Sequence, residues 1–429
     1  MVPTGCEGNI SPVIDAFREA TGIEASWQAV GVGDVDSHLA LDALSGEGGY
    51  DLALPATFAL PDLASVGAIR DLSELAARHE PPGFRDDTLY SIGDTFDDRI
   101  YGFQADGDTY LMFYHRDWML DPVEQARYGD LYGISLDVPQ TWAELDRQMA
   151  YFHRPEQGRF GGALFRTPGY LAWEWWVRFH AKGVWPLSAD LEPQIASDQG
   201  VEALEEMIRA SETLYPEAKS AGLFRNWKRY SEGQIYCNIG WGGSQKYLNN
   251  QGSGMRGRMV FGPTPGGIVD GQLLRTSYFN WGWSYAVTQF SQQPELAYLF
   301  ALFASTGEIS TLAVRDAEGY FDPFRAEHYS DPVIQRIYSP EFLEVHEASM
   351  RASIPDLYLA RQSEYFRVLN NALLDAITGR EKPEAALRQV AIQWSLLNRQ
   401  VGKEQQRTRW HALRGKYPDQ VRRHLRDLT

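Results

Sequence analysis

From residue 278 to residue 288 the chain reads Tyr-Phe-Asn-Trp-Gly-Trp-Ser-Tyr-Ala-Val-Thr. The second half of this run has the composition of a buried strand. A strand packed on both sides has no use for a Gly between two Trp. A ligand wall does, because Gly lets a ligand approach the backbone and Trp offers a flat apolar face with one N–H donor. The competing assignment for any single ring is core. A second run, Ile239-Gly240-Trp241-Gly242-Gly243, repeats the pattern beside another strand. Two Gly-spaced Trp runs predict one site lined from separated segments, and so a fold whose strand ends carry ring-bearing loops.

The chain ahead of these runs supplies strands and helices in alternation. Residues 12–21 read as a helix capped by Asn9 or Ser11 and stopped by Gly22, followed by a strand at 23–30. A helix at 35–44, a short strand at 50–55 and helices at 60–66 and 72–77 complete a β-α-β-α order, hence a parallel sheet. Thr4 to Asn9 form a small-residue loop at a helix N-terminus, which offers free backbone N–H groups or is a plain turn. Thr57 and Phe58 follow the C-terminal end of the strand at 50–55, where ligands sit in open α/β sheets. Residues 100–114 read as two strand-like pieces around a turn at 105–108. Its Asp106 and Asp108 are ligand acceptors or turn formers.

Thr141 caps a helix with Glu144 as its capping-box partner. In the ring-rich stretch 167–180, Trp173, Trp176 and His180 share one helix face and are assigned to core, which leaves Trp175 to a face that a ligand can reach. Helices follow at 293–305, 333–338, 342–350, 358–378 and 383–401. Residues 403–429 hold eight Lys or Arg against three Asp or Glu, a net of +5, so the remainder carries −22. This tail reads as a polar helix folded against the acidic body.

Composition limits the function. The 429 residues are enough for two domains. A net charge of −17 argues against nucleic acid or an anionic membrane as partner. Thirteen Trp, with 22 Tyr and 20 Phe, exceed what a core requires. Cys6 and Cys237 form no CxxC or metal pattern and read as two free or buried thiols. No apolar run approaches a membrane span, and no basic-then-apolar start marks a signal peptide. The chain is then cytosolic or a mature form with a new initiator Met. No Walker loop, GxSxG or HExxH occurs, and the nine His are scattered. No catalytic residue, metal ligand or cofactor is assigned.

Several stretches are together similar to a known family. They are FREATGIEASW, GYDLALPAT, YGFQADGDTYLMFYHRDW, VPQTWAELDRQM, NIGWGG, NWGWSYAVTQFSQQPELAYLF and ALLDAITGREKPEAALRQVAIQW, in the family's order along nearly the whole chain. The chain resembles the extracellular solute-binding proteins of ABC importers, in the carbohydrate group typified by maltose-binding protein. The resemblance implies an α/β fold of two lobes, each a mainly parallel sheet flanked by helices, with the ligand in the cleft between them. It places one lobe at 1–111 plus 282–330 and the other at 112–281 plus 331–429, with hinges near 108–114, 276–284 and 325–345. Ligand contacts are implied at Cys6, Glu7 and Asn9, at Thr57 and Phe58, at Asp106 and Asp108, at Trp241, Gly242, Tyr278, Asn280, Trp281 and Trp283, and at Arg351.

The resemblance further implies a periplasmic or extracellular monomer that delivers a small solute, a sugar, to a membrane permease. Two departures stand out: the first strand is clipped at Met1, and the basic C-terminal helix extends past the family's usual end. A sugar has apolar C–H faces for Trp or Tyr and hydroxyls for Asp, Asn and Arg. The alternatives are a non-sugar solute on the same fold and a glycan-active enzyme.

Overall fold

Ser284–Val287 forms the middle strand of a three-stranded sheet, antiparallel to Leu52–Ala53 on one side and to Phe103–Gln104 on the other. In chain order the strands are β1 (Val2–Pro3), β2 (Ala29–Val30), β3 (Leu52–Ala53), β4 (Thr95–Phe96), β5 (Arg99–Ile100), β6 (Phe103–Gln104), β7 (Leu111–His115), β8 (Phe160–Ala163), β9 (Ile235–Gly240), β10 (Met259–Pro263), β11 (Gly267–Val269), β12 (Gln272–Leu274) and β13 (Ser284–Val287). The computed structural model describes residues 1–428. The chain divides into two compact units, Met1–Thr109 with Phe279–Ser363, and Tyr110–Tyr278 with Glu364–Thr429.

Unit 1 is built on β3, β13 and β6, with the parallel pair β1 and β2 beside β3. The Glu7–Thr21 helix buries Ile10, Val13 and Phe17, spaced to fall on one face. The Phe17 ring meets Phe300 and Phe303 edge-on at 5.0 and 5.4 Å, a burial that contributes roughly 1.5–3 kcal/mol. Gly22 ends this helix in the left-handed region, its N–H returning to the Arg18 carbonyl. The helix begins at Glu7, not at residue 12, so Pro12 lies inside it and the expected loop at residues 4–9 is mostly its first turn.

Unit 2 is built on the sheet β10-β7-β9-β8. β7 and β9 are buried along their whole length, which is why Leu-Met-Phe-Tyr-His and Ile-Tyr-Cys-Asn-Ile-Gly read as continuous runs without alternation. β9 runs parallel to β8 and antiparallel to β7, and β7 is antiparallel to β10. The sheets are therefore mixed, not mainly parallel. Residues 103–104 and 111–115 are no hairpin either: β6 pairs with β13 in unit 1, β7 with β9 and β10 in unit 2. A charged cluster is enclosed in unit 2, where Glu174 accepts from Arg166 at 2.6 Å and from Arg178 at 3.0 Å, and Arg178 also binds Asp146.

The basic tail folds as Lys403–Lys416 and Asp419–Arg422. Trp410 seats it, its indole N–H donating to the Ser188 carbonyl at 3.0 Å and its ring edge-on to Trp185. Cys6 and Cys237 are buried and unbridged. No single helix among the described residues is long and apolar enough to cross a membrane. The sequence placed the last crossing at residues 330/331, but Pro332–Tyr338 and Pro340–Ala352 belong to unit 1 and the chain leaves it only after Ser363.

Candidate functional site

In unit 1 the run Asn280-Trp281-Gly282-Trp283 enters β13 from a sharp turn. Gly282 has φ 63°, and a Cβ there would lie 2.4 Å from the Phe279 ring. That is a steric and conformational reason for Gly between the two Trp. The Thr57 N–H donates to the carbonyls of Trp281 and Gly282 at 3.2 and 3.1 Å. Its hydroxyl also bonds to the Trp281 carbonyl. Phe58 meets Trp281 edge-on at 5.8 Å, and Trp281 meets Trp283 at 5.9 Å. Phe58 and Trp281 remain half-buried, whereas Trp283 and Asn280 are buried. The structure thus brings Thr57, Phe58, Trp281, Gly282 and Trp283 into one cluster.

Asp106 and Asp108 lie behind this cluster. With Asp322 they form a trio in which one carboxylate oxygen from each residue lies within 4.8 Å of the other two. Asp106 Oδ1 accepts from the backbone N–H of Gly107 at 2.7 Å and of Asp322 at 2.6 Å. Asp322 accepts from the Tyr338 hydroxyl at 2.6 Å. The Gly282 N–H points to Asp108 Oδ2 at 3.3 Å. Burial, and then the two neighbouring carboxylates, push the Asp108 carboxyl well above its usual range, which favours a proton held within the trio. Such oxygens are spaced to chelate a cation, and a shared proton relieves the same repulsion. The turn is tight: a Cβ on Gly107 would fall 1.9 Å from the Pro323 carbonyl oxygen. Burial lowers His346 to about 3, so it is neutral, and its Nε2 bonds the Gly107 carbonyl at 2.9 Å.

In unit 2, Trp241 stands directly after β9 and is 4% exposed. Its backbone N–H donates to Ser244 Oγ at 3.0 Å, at the start of the short Gly242–Leu248 helix. Around its ring lie Tyr110 at 4.9 Å, Trp173 at 5.9 Å and Phe165 at 6.0 Å. Tyr170 stacks on Phe165 at 4.5 Å and stays half-buried. Tyr278 is buried 6.5 Å from Tyr110, and the two residues are joined by Tyr110 N–H to the Tyr278 carbonyl. Tyr110, Phe165, Tyr170 and Trp173 were absent from the sequence-derived set. The signal for Tyr170 and Trp173 was present, as rings at the start of the Leu171–His180 helix, the first helix after β8.

Other expected contacts have different surroundings. Trp175 is corrected to core: it is wholly buried, stacks on Phe179 at 4.8 Å and donates to the Gly200 carbonyl. Helical rotation puts Trp173, not Trp175, beside Trp241. Cys6 is fully buried, and Asn9 donates to the Ala313 carbonyl at 2.8 Å, tying its helix to the Gly307–Val314 helix. Glu7 accepts from the Gly5 N–H at 2.5 Å. Arg351 is largely exposed and paired with Glu347 on its own helix at 2.7 Å. Residues 252–257, GSGMRG, have the glycine spacing of a dinucleotide loop, but they lead from a helix into β10, the reverse of the order that chemistry needs.

The family model described as bacterial extracellular solute-binding protein matches residues 13–337. The chain belongs to that family. As a solute-binding protein it shares its fold with several solved structures. One is an ABC transporter solute-binding protein from Agrobacterium radiobacter K84 in complex with ribitol, 19% identical, with a TM-score of 0.77 over 92% of this chain and 97% of that one. Another is maltose-bound MalE3 of T. maritima, 18% identical, with a TM-score of 0.76 over 92% and 98%. A third, from Agrobacterium vitis S4 with D-mannitol, is 16% identical with a TM-score of 0.74 over 94% and 98%. No curated protein matches significantly. The fold expected from the sequence, an α/β solute-binding fold, is the fold found.

Proposed function

We propose that this solute-binding protein captures a neutral sugar or polyol and delivers it to the membrane permease of an ABC importer. Phe58 and Trp281 in unit 1, and Trp241 with Tyr170 and Trp173 in unit 2, are assigned to stack on the C–H faces of the solute. Asn280 and the Asp106–Asp108 turn stand behind the unit 1 rings as polar support. The observation that carries this reading is the pair of ring clusters, each with a Trp beside Gly at the end of a strand and with a half-buried ring in each. The solutes held by the solved relatives, ribitol, maltose and mannitol, have the chemistry that such rings suit. Hinge closure driven by a solute that touches both units belongs to the same proposal, as do a monomeric state and a location outside the cytoplasmic membrane. Binding without turnover is the expectation, since capture alone needs no nucleophile or acid–base pair.

The test is thermal melting with a panel of neutral polyols and oligosaccharides, set beside amines and sugar acids. A solute at a hundredfold its dissociation constant adds about 2.7 kcal/mol of stability. A neutral member that raises the melting temperature supports the proposal. A shift seen only with charged solutes redirects it to another solute class. Turnover of a glycoside replaces it with an enzyme.

A further inference from the structure

A small polar cavity lies inside unit 1, lined by Gln104 of β6, by Ser305 directly after the Pro294–Ala304 helix and by Arg325, with Arg85 and Asp94 beside them. Its volume is about 10 Å³, the room that one water-sized body needs. Gln104, Ser305 and Arg325 are 4%, 1% and 3% exposed. Each carries one buried polar atom with no hydrogen-bond partner among the described residues: Gln104 Oε1, Ser305 Oγ and Arg325 Nε. Buried polar groups in folded proteins are nearly always paired, and one left alone opposes folding. Three such atoms on residues around one cavity point to one shared partner.

Other bonds hold the three side chains in place. The Gln104 amide nitrogen donates to the Asp106 carbonyl at 2.9 Å, which fixes the amide so that its oxygen is the end left to be matched. Arg325 Nη1 donates to the Phe84 carbonyl at 3.2 Å and also bonds Asp87, and its guanidinium lies 5.0 Å from the centre of the Phe84 ring. That grip leaves its Nε–H as a donor to be matched. The Ser305 backbone N–H returns to the Ala301 carbonyl at 3.1 Å, so only its hydroxyl remains. The set is therefore one donor, one acceptor and one hydroxyl that can be either. A halide only accepts, and it would meet Gln104 Oε1 with the Asp94 carboxylate adjacent. A metal cation needs acceptors, and it would meet the Arg325 and Arg85 guanidinium groups. Water both donates and accepts.

We propose that this cavity is the binding site of a single structural water molecule, which accepts from Arg325 Nε–H, donates to Gln104 Oε1 and shares a third hydrogen bond with Ser305 Oγ. Three bonds are usual for a buried water. The water joins β6, the end of the Pro294–Ala304 helix and the segment at Arg325, which lie far apart in sequence. Through Gln104 it braces the Asp106 carbonyl, and with it the turn whose Asp108 meets the Gly282 N–H. Thr88 and Ser91, also in the lining, are half-buried, so solvent and its ions have a way in.

Crystals of the full chain grown with bromide as the only halide test this, because bromide scatters anomalously and water does not. The expected result is an isolated density peak within hydrogen-bond distance of Gln104 Oε1, Ser305 Oγ and Arg325 Nε, without anomalous signal. In solution, the Arg325 Nε–H is expected to show a nuclear Overhauser cross-peak to water, with the sign of a long-held molecule. Ser305→Val removes the hydroxyl and puts methyl groups in the same space, so both signals are expected to vanish in that variant. Four results overturn the proposal: an anomalous peak in the cavity, which would make it an anion site; no density there; Arg325 Nε or Gln104 Oε1 turned onto a protein partner; or a cross-peak unchanged by Ser305→Val. The first three are read from the parent chain, whether or not the variant folds.

Discussion

The backbone N–H of Gly282 points at Asp108 Oδ2, 3.3 Å away, so the residue between two Trp is tied to the carboxyl trio of the 105–108 turn. Burial and its carboxylate neighbours raise the Asp108 carboxyl in the folded chain and so favour its protonated form. The folded state thus binds a proton that the unfolded state releases above the ordinary carboxylate range near 3.8. Stability is full below that range and declines as pH rises toward the raised value. Asp108→Asn keeps the shape without the charge. Melting temperatures from pH 4 to pH 8 are expected to fall less steeply in this variant than in the parent, with its largest gain at pH 8. Identical slopes would remove the shared-proton assignment.

Gly282→Ala forces a Cβ into the Phe279 ring and holds a left-handed φ that only Gly adopts at little cost. A destabilisation of about 1–3 kcal/mol is expected in urea titration, from overpacking and backbone strain together. The solute-induced shift should shrink as well, because Thr57 is fastened to the same turn. An unchanged midpoint would show that the turn relaxes freely.

Ring removal separates binding from packing. Trp281→Ala is expected to abolish most of the solute-dependent melting shift at modest cost in stability, since Trp281 is half-buried. Trp175→Ala is expected to cost about 3–5 kcal/mol and to leave solute affinity alone in whatever fraction stays folded. Isothermal titration of the two variants decides it. Equal loss of affinity in both would mean that the rings act only through the fold.

The helices with clear stop and start chemistry were legible in advance. Thr141, whose hydroxyl accepts from the Glu144 N–H, and Gly22, with its left-handed φ, mark ends that local hydrogen bonding alone settles. Strand pairing was not legible in the same way. Asp106-Gly107-Asp108 has the residues of a hairpin turn, yet its compactness serves contacts with Asp322 and Pro323, more than 200 positions further on. Pairing of that range leaves no trace in a local pattern. For the site, the Trp-Gly-Trp and Gly-Trp-Gly runs were visible because Gly beside rings is unusual. Trp173 and Trp175 were exchanged because both sit on one helix and a rotation of two residues decides which of them meets Trp241.

Glu174 is wholly buried between Arg166 and Arg178. Burial opposes its charge, but the two guanidinium groups outweigh it and hold the carboxyl below its usual range. Stability from this carboxylate is present above the unfolded carboxyl range and is lost as pH falls. Glu174→Gln leaves two buried cations short of a partner, and a loss of about 3–5 kcal/mol is expected by chemical unfolding at neutral pH. A loss below 1 kcal/mol would mean that Asp146 and Glu206, the other carboxylates on Arg178, neutralise the pair without it.

The polypeptide passes between its two units three times, after Thr109, Tyr278 and Ser363. Because β13 is the middle strand of the first sheet, β3 and β6 leave the ribosome long before the strand that joins them. At about 5–20 residues per second, synthesis of residues 110–287 occupies roughly ten to forty seconds. Throughout that interval the leading hundred residues are nascent chain with no finished sheet to enter. Neither unit exists as an excisable stretch of gene, because each is assembled from separated segments of the chain.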